Sequence, residues 1–247
     1  MKADPFVQLR LLDLQALDSA LDRLAHKRKT LPEIAEIAKL DGLLDSVRGD
    51  VVLAETQVND LQVELDKAES DIEQVRARKQ RDEERLGSGA ITQPKQLEEL
   101  QHEVASLIKR QTDLEDAELE VMERMEEAQT QLSQLLAARS ENEQARGILV
   151  DRREAAFLAI DGEAESTAKE RAAQAGDIPA DLLALYEKIR AATGGVGAGP
   201  IERGRCGGCH VDLMNNEKAE YRAAPTDEVL RHESCSRIVV RTAESGL

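Results

Sequence analysis

The sequence predicts a mainly α fold: a long antiparallel coiled-coil helical hairpin with a small C-terminal zinc-ribbon domain. Three observations lead there. An unbroken heptad repeat runs from Ile37 to Val75, a glycine- and proline-rich turn separates two arms of nearly equal length, and all three cysteines fall in the last 42 of 247 residues. Composition agrees. Charged residues make up 33% and aromatics only 2%, with no tryptophan, too few large rings for a broad globular core and the usual balance of long helices.

In the first arm, Ile37, Leu44, Val51, Val58, Leu65 and Ile72 take position a, and Leu40, Val47, Ala54, Leu61, Ala68 and Val75 take position d. All twelve are apolar, which is the seam of a coiled coil. The second arm repeats it less cleanly. Leu97, Val104, Met125 and Leu132 stand at a, Leu100, Leu107, Leu114, Val121, Ala128 and Leu135 at d, and Gln111 and Glu118 interrupt at a. Between the arms, Gly87-Ser88-Gly89-Ala90-Ile91-Thr92-Gln93-Pro94 cannot continue a helix. The arms, Phe6 to Leu86 and Lys95 to about Ala175, match in length, so facing residue numbers are expected to sum to about 181.

Thr30-Leu31-Pro32-Glu33 reads as a break in the first arm, with Thr30 capping the helix that follows. Pro32 would then face roughly position 149, beside Gly147, and both arms are expected to bend at that level. Asp177-Ile178-Pro179 opens a third helix running to about Ala192. Gly194-Gly195-Val196-Gly197-Ala198-Gly199-Pro200 reads as a linker. The expected division is thus residues 1–193 for the helical part, 194–200 for the linker and 201–247 for the zinc ribbon.

The ribbon carries Cys206-Gly207-Gly208-Cys209 and His232-Glu233-Ser234-Cys235, two pairs with x₂ spacing and 22 residues between them. That layout matches a closed tetrahedral Zn²⁺ site. Cys206, Cys209, His232 and Cys235 are the expected ligands, and Gly207 and Gly208 are expected to supply permissive backbone angles. His210 is the competing histidine, but it breaks the paired spacing. Three thiolates and an imidazole leave no position for substrate, and no phosphate loop, nucleophile elbow or deaminase motif is present. The expectation is therefore no enzyme and no small-molecule substrate.

Around these residues the chain resembles bacterial coiled-coil proteins with a C-terminal C4-type zinc ribbon. That family includes the flagellar and type III secretion zinc-ribbon chaperones and an actinobacterial branch. The resemblance spans nearly the whole chain. It rests on Thr30-Leu31-Pro32-Glu33, on Pro179 with Leu182-Leu183 and Tyr186-Glu187-Lys188-Ile189-Arg190, on the first cysteine pair, and on Cys235-Ser236-Arg237-Ile238-Val239. His232 stands where the family has cysteine. The resemblance implies an adaptor or chaperone-like protein with a protein partner and, for some members, RNA.

Charge bears on the nucleic-acid part of that expectation. The chain carries 33 basic and 49 acidic residues, a net −16, which excludes a generally basic nucleic-acid coat. Residues 201–247 alone are nearly neutral, with seven basic against eight acidic side chains. Arg203, Arg205, Arg237 and Arg241 flank the two pairs and are the candidate nucleic-acid contacts, with RNA and DNA both open. Tyr221 is the only aromatic residue there to stack a base. The alternative is a structural coiled-coil spacer without nucleic-acid binding. The longest uncharged apolar run, Ala155–Ile160, falls far short of the ~20 residues that cross a bilayer. No signal peptide is legible, so no membrane insertion and a cytoplasmic location are expected.

Overall fold

A computed structural model describes residues 1–247. Its elements are α1 (Pro5–Lys29), α2 (Pro32–Gly87), α3 (Pro94–Gly176), α4 (Ala180–Ala192), β1 (Ala198–Glu202), β2 (Arg205–Cys206), α5 (Asn215–Ala223), β3 (Leu230–Arg231) and β4 (Ile238–Val240). Proline opens each of the first three helices, where its missing N–H costs nothing. Thr30 behaves differently from the sequence reading. Its N–H and hydroxyl both bond to the His26 carbonyl, so it closes α1 rather than capping α2. The break falls in the first arm alone, because α3 runs through Gly147 and Gly162 as one helix of 83 residues. No helix is long and apolar enough to cross a membrane.

The chain divides into two compact units, Glu36–Leu149 and Met1–Ala35 with Val150–Leu247. In Glu36–Leu149, the α2 and α3 portions form the antiparallel coiled-coil hairpin. All twelve expected seam positions of α2 are buried or half-buried, and Leu61 packs with Met125 and Ala128 at its centre. Of the two polar interruptions, Gln111 accepts from Lys79 Nζ at 2.7 Å and donates to Glu115 at 2.7 Å.

The register differs from the expectation by one heptad. Asp41 pairs with Arg146 and Glu64 with Arg124, so facing numbers sum to about 188. The ends of the helices, Gly87 and Pro94, sum to 181. The first two turns of α3 therefore run past the end of α2, and residues 88–93 climb alongside them. Leu97 is 36% exposed for that reason: its facing position falls in the turn.

In the other unit, the four strands form one sheet in the order β2-β1-β4-β3, with β1 parallel to β4 and the other pairs antiparallel. Alternation along β4 serves two cores. Ile238 and Val240 pack with Leu11 and Leu14 of α1, with Leu182, Tyr186 and Ile189 of α4, and with Ala198. Val239 faces the other way, onto Ile201, Cys206, Leu213, Tyr221 and Leu230. The sheet thus shares a core with α1 and α4.

The expected linker is part of that structure. β1 begins inside it, and Gln15 of α1 accepts from the Gly197 N–H at 2.7 Å and donates to the Gly195 carbonyl at 2.9 Å. A Cβ at Gly197 would lie 2.8 Å from the Tyr186 carbonyl oxygen. The glycines allow close packing here, where the sequence reading expected flexibility. Beside them Asp18, 2% exposed, accepts from the Tyr186 hydroxyl at 2.6 Å and from Arg171 Nε at 3.0 Å, with Arg190 Nε 3.5 Å away. Burial and the neighbouring Asp18 hold the Tyr186 hydroxyl far above the ordinary phenol range.

Candidate metal centre

Two turns of the same backbone design present the candidate ligands. In the first, the His210 N–H donates to the Cys206 carbonyl and the Cys206 N–H to the Val211 carbonyl. In the second, the Ser236 N–H donates to the His232 carbonyl and the His232 N–H to the Arg237 carbonyl. The offsets are identical, and the residue after each second ligand, His210 or Ser236, has positive φ, at 61° and 62°. His210 is thereby committed to the turn geometry, its side chain exposed and outside the cluster.

Gly207 and Gly208 serve space rather than backbone angle, since neither has positive φ. A Cβ on Gly207 would meet Pro200 at 2.8 Å, and one on Gly199 would meet the Gly208 nitrogen at 2.5 Å. The first turn therefore lies flat on β1, which only glycines permit.

Cys206, Cys209, His232 and Cys235 bring one donor atom each to within 4.8 Å of one another. Cys206 Sγ lies 4.0 Å from Cys235 Sγ, and His232 Nδ1 lies 3.3 Å from Cys209 Sγ and 3.1 Å from Cys235 Sγ. A tetrahedral zinc site with metal–ligand bonds of about 2.3 Å to sulfur and 2.0 Å to nitrogen requires donors about 3.5–3.8 Å apart. The four side chains fit a metal ion of that kind. No disulfide links the cysteines.

Electrostatics separates the thiols. Burial pushes Cys206 up to about 12, against the opposing backbone N–H groups of Cys209 and Gly208. Burial also opposes ionisation of Cys235, but the N–H of Arg237 and the His232 ring outweigh it and bring that thiol down to about 7. A metal ion taken up near neutral pH must displace the Cys206 proton, so affinity rises with pH.

The arginines separate as well. Arg237 donates to the carbonyls of Val196 and Thr193, and Arg241 to those of Tyr221, Ala224 and Pro225. Both are occupied in holding the fold and do not share a free face with the others. Arg203 and Arg205 are exposed, but Arg205 pairs with Asp212 at 3.0 Å. They line a cleft with Glu202, Asp212 and Glu244, which works against a phosphate backbone. Tyr221 is buried, with no face for a base.

Sequence reasoning missed Glu217. This carboxylate is 1% exposed and accepts from the N–H groups of Met214 and Glu233 and from the Tyr221 hydroxyl. Burial disfavours its charge, yet those donors and His232 hold it below the ordinary carboxylate range. Its spacing from Tyr221 on α5 was the only trace in the sequence, and an i,i+4 Glu–Tyr pair says nothing of burial.

Fold and site together define a coiled-coil helical-hairpin protein whose C-terminal sheet bears a Cys₃His cluster able to hold a metal ion. A family model described as the CT398-like coiled coil hairpin domain matches residues 14–194, and the chain belongs to that family. An uncharacterized protein of Mycobacterium tuberculosis is 37% identical over 98% of each chain. A solved structure from Mycobacterium smegmatis is 36% identical, with a TM-score of 0.86 over 98% of this chain and all of that one. CT398 from Chlamydia trachomatis shares the fold at 22% identity, with a TM-score of 0.70 over 96% of this chain and 98% of that one.

Proposed function

We propose that the protein is a non-enzymatic zinc-binding adaptor of the cytoplasm, with Cys206, Cys209, His232 and Cys235 as Zn²⁺ ligands and a protein as its partner. The observation that carries the metal is the convergence of four donor atoms from two turns of matching backbone geometry. Three thiolates and one imidazole complete a tetrahedron, so bound zinc would hold the turns together and offer no open position for catalysis. The protein partner is supported by a groove in Glu36–Leu149 where Leu65, Leu119, Met122 and Met125 lie beside Glu123 and Glu126. There Leu119 is 57% and Met122 49% exposed, and methionine adapts readily to a partner's shape. The resemblance to flagellar and type III secretion zinc-ribbon chaperones points the same way. A protein partner is favoured over RNA or DNA because Arg237 and Arg241 are engaged with backbone carbonyls.

The test has two parts. Purified protein should carry one zinc per chain by elemental analysis, and Cys206→Ser should carry none. Affinity capture should retain the same proteins with and without nuclease treatment. Metal-free wild-type protein would overturn the zinc reading, and capture lost on nuclease treatment would replace the protein partner by nucleic acid.

A further inference from the structure

His232 is 0% exposed, and its two ring nitrogens face different surroundings. Nδ1 points at Cys209 and Cys235. Nε2 is buried without a hydrogen-bond partner, and Glu217 Oε2 stands 3.9 Å from it. Glu217 is equally enclosed, and its three hydrogen bonds all come from neutral donors: the N–H groups of Met214 and Glu233 and the Tyr221 hydroxyl. No lysine or arginine pairs with it, so the His232 ring is the one side chain beside this carboxylate that can become a cationic donor. A histidine that has placed Nδ1 on a metal ion carries its proton on Nε2 and takes up part of the ion's charge. Metal-bound histidines commonly donate that second N–H to a carboxylate, which fixes the ring and raises its basicity.

From this juxtaposition we propose that Glu217 is the positioning residue of the metal site: in the metal-loaded protein it receives Nε2–H of His232, across a gap that is 3.9 Å here, and so fixes the tautomer that turns Nδ1 toward the metal. The proposal rests on the zinc reading given above. It also makes positions 217 and 232 a matched pair. A cysteine at 232 would have no N–H to offer, and its thiolate would set a fourth sulfur charge near a buried carboxylate. Glu217 therefore helps a Cys₃His site and harms a Cys₄ one.

The experiment is a double-mutant cycle read by zinc affinity, with a chromogenic chelator as competitor and the full chain as the protein. Glu217→Gln keeps the size and the acceptor oxygen while removing the charge. In the wild-type background it should weaken zinc binding about 10- to 100-fold. In the His232→Cys background the same change should leave affinity unaltered or tighten it. Equal losses in both backgrounds would mean that Glu217 merely holds α5, and would overturn the proposal. A second measurement needs no variant: long-range ¹H–¹⁵N spectra of the zinc-loaded wild type should show His232 bound through Nδ1 and protonated on Nε2. Coordination through Nε2 would equally overturn the proposal. A failure of the zinc reading itself would be recognised separately, as wild-type protein that binds no zinc.

Discussion

The two units keep their order by opposite means. In Glu36–Leu149, apolar residues fill most of the seam and ion pairs lie mainly at the rim, such as Glu64 with Arg124, each more than half exposed, with Asp82, 8% exposed, as an exception. In the unit built from the two ends of the chain, charged and polar groups lie at the centre. Asp18 holds Tyr186 and Arg171, Gln15 holds the backbone of Gly195 and Gly197, and Glu217 stands beside His232. A repeat can be stabilised by burial alone, because every heptad offers its neighbour the same face. Irregular segments such as α1, α4 and the glycine-rich stretch have no repeat to align them, and directional hydrogen bonds supply the alignment.

That contrast can be broken most forcefully at Asp18. Replacing it with alanine takes the shared carboxylate from half-buried Arg171 and Arg190 and from the buried Tyr186 hydroxyl, leaving Arg171 only Glu187 and the hydroxyl only Gln15 at 3.1 Å. About 3–5 kcal/mol of stability should be lost, read as an early transition in denaturant unfolding. In the hairpin the largest single loss should come from a seam residue. Leu61→Ala should cost about 2–4 kcal/mol through the cavity it leaves between Met125 and Ala128, without altering metal content. Equal sensitivity to Asp18→Ala and to substitution of an exposed hairpin ion pair would dissolve the distinction.

Smaller effects sharpen it. Gly199→Ala would drive a methyl group against the backbone of the first ligand turn, 2.5 Å from the Gly208 nitrogen. It should cost about 1–3 kcal/mol and weaken metal retention in chelator competition. At the bottom of the scale, Arg124→Ala should change stability by less than about 1 kcal/mol, and the change should shrink further in high salt.

The same contrast explains what could be read from the sequence. The seam of α2 was legible to the residue, because period seven reports directly which side is buried. The register was not, because sliding one arm by a heptad presents the same pattern again. The displacement to sums near 188 came from the turn, where α3 starts beyond the end of α2. The four candidate ligands were legible from spacing alone, since two x₂ pairs leave few ways to surround one ion. Gln15, Asp18 and Glu217 were not. Each looks like an ordinary polar residue on a helix, and only the fold shows that a second layer covers it. The linker expected at 194–200 failed for the complementary reason: glycine marks close approach as readily as freedom, and sequence does not say which.

The parallel pairing of β1 with β4 and the cover that α1 gives them impose an order of events during synthesis. Leu11 and Leu14 find their packing partners Ile238 and Val240 only after more than 220 further residues have been made. At ribosomal rates of about 5–20 residues per second, the strands' share of that core arrives on the order of ten to forty-five seconds after the first helix, whose apolar side has at most α4 and the end of α3 to cover it until then. Until the sheet forms, the part of α1 that Ile238 and Val240 will cover stays open to contact with other chains.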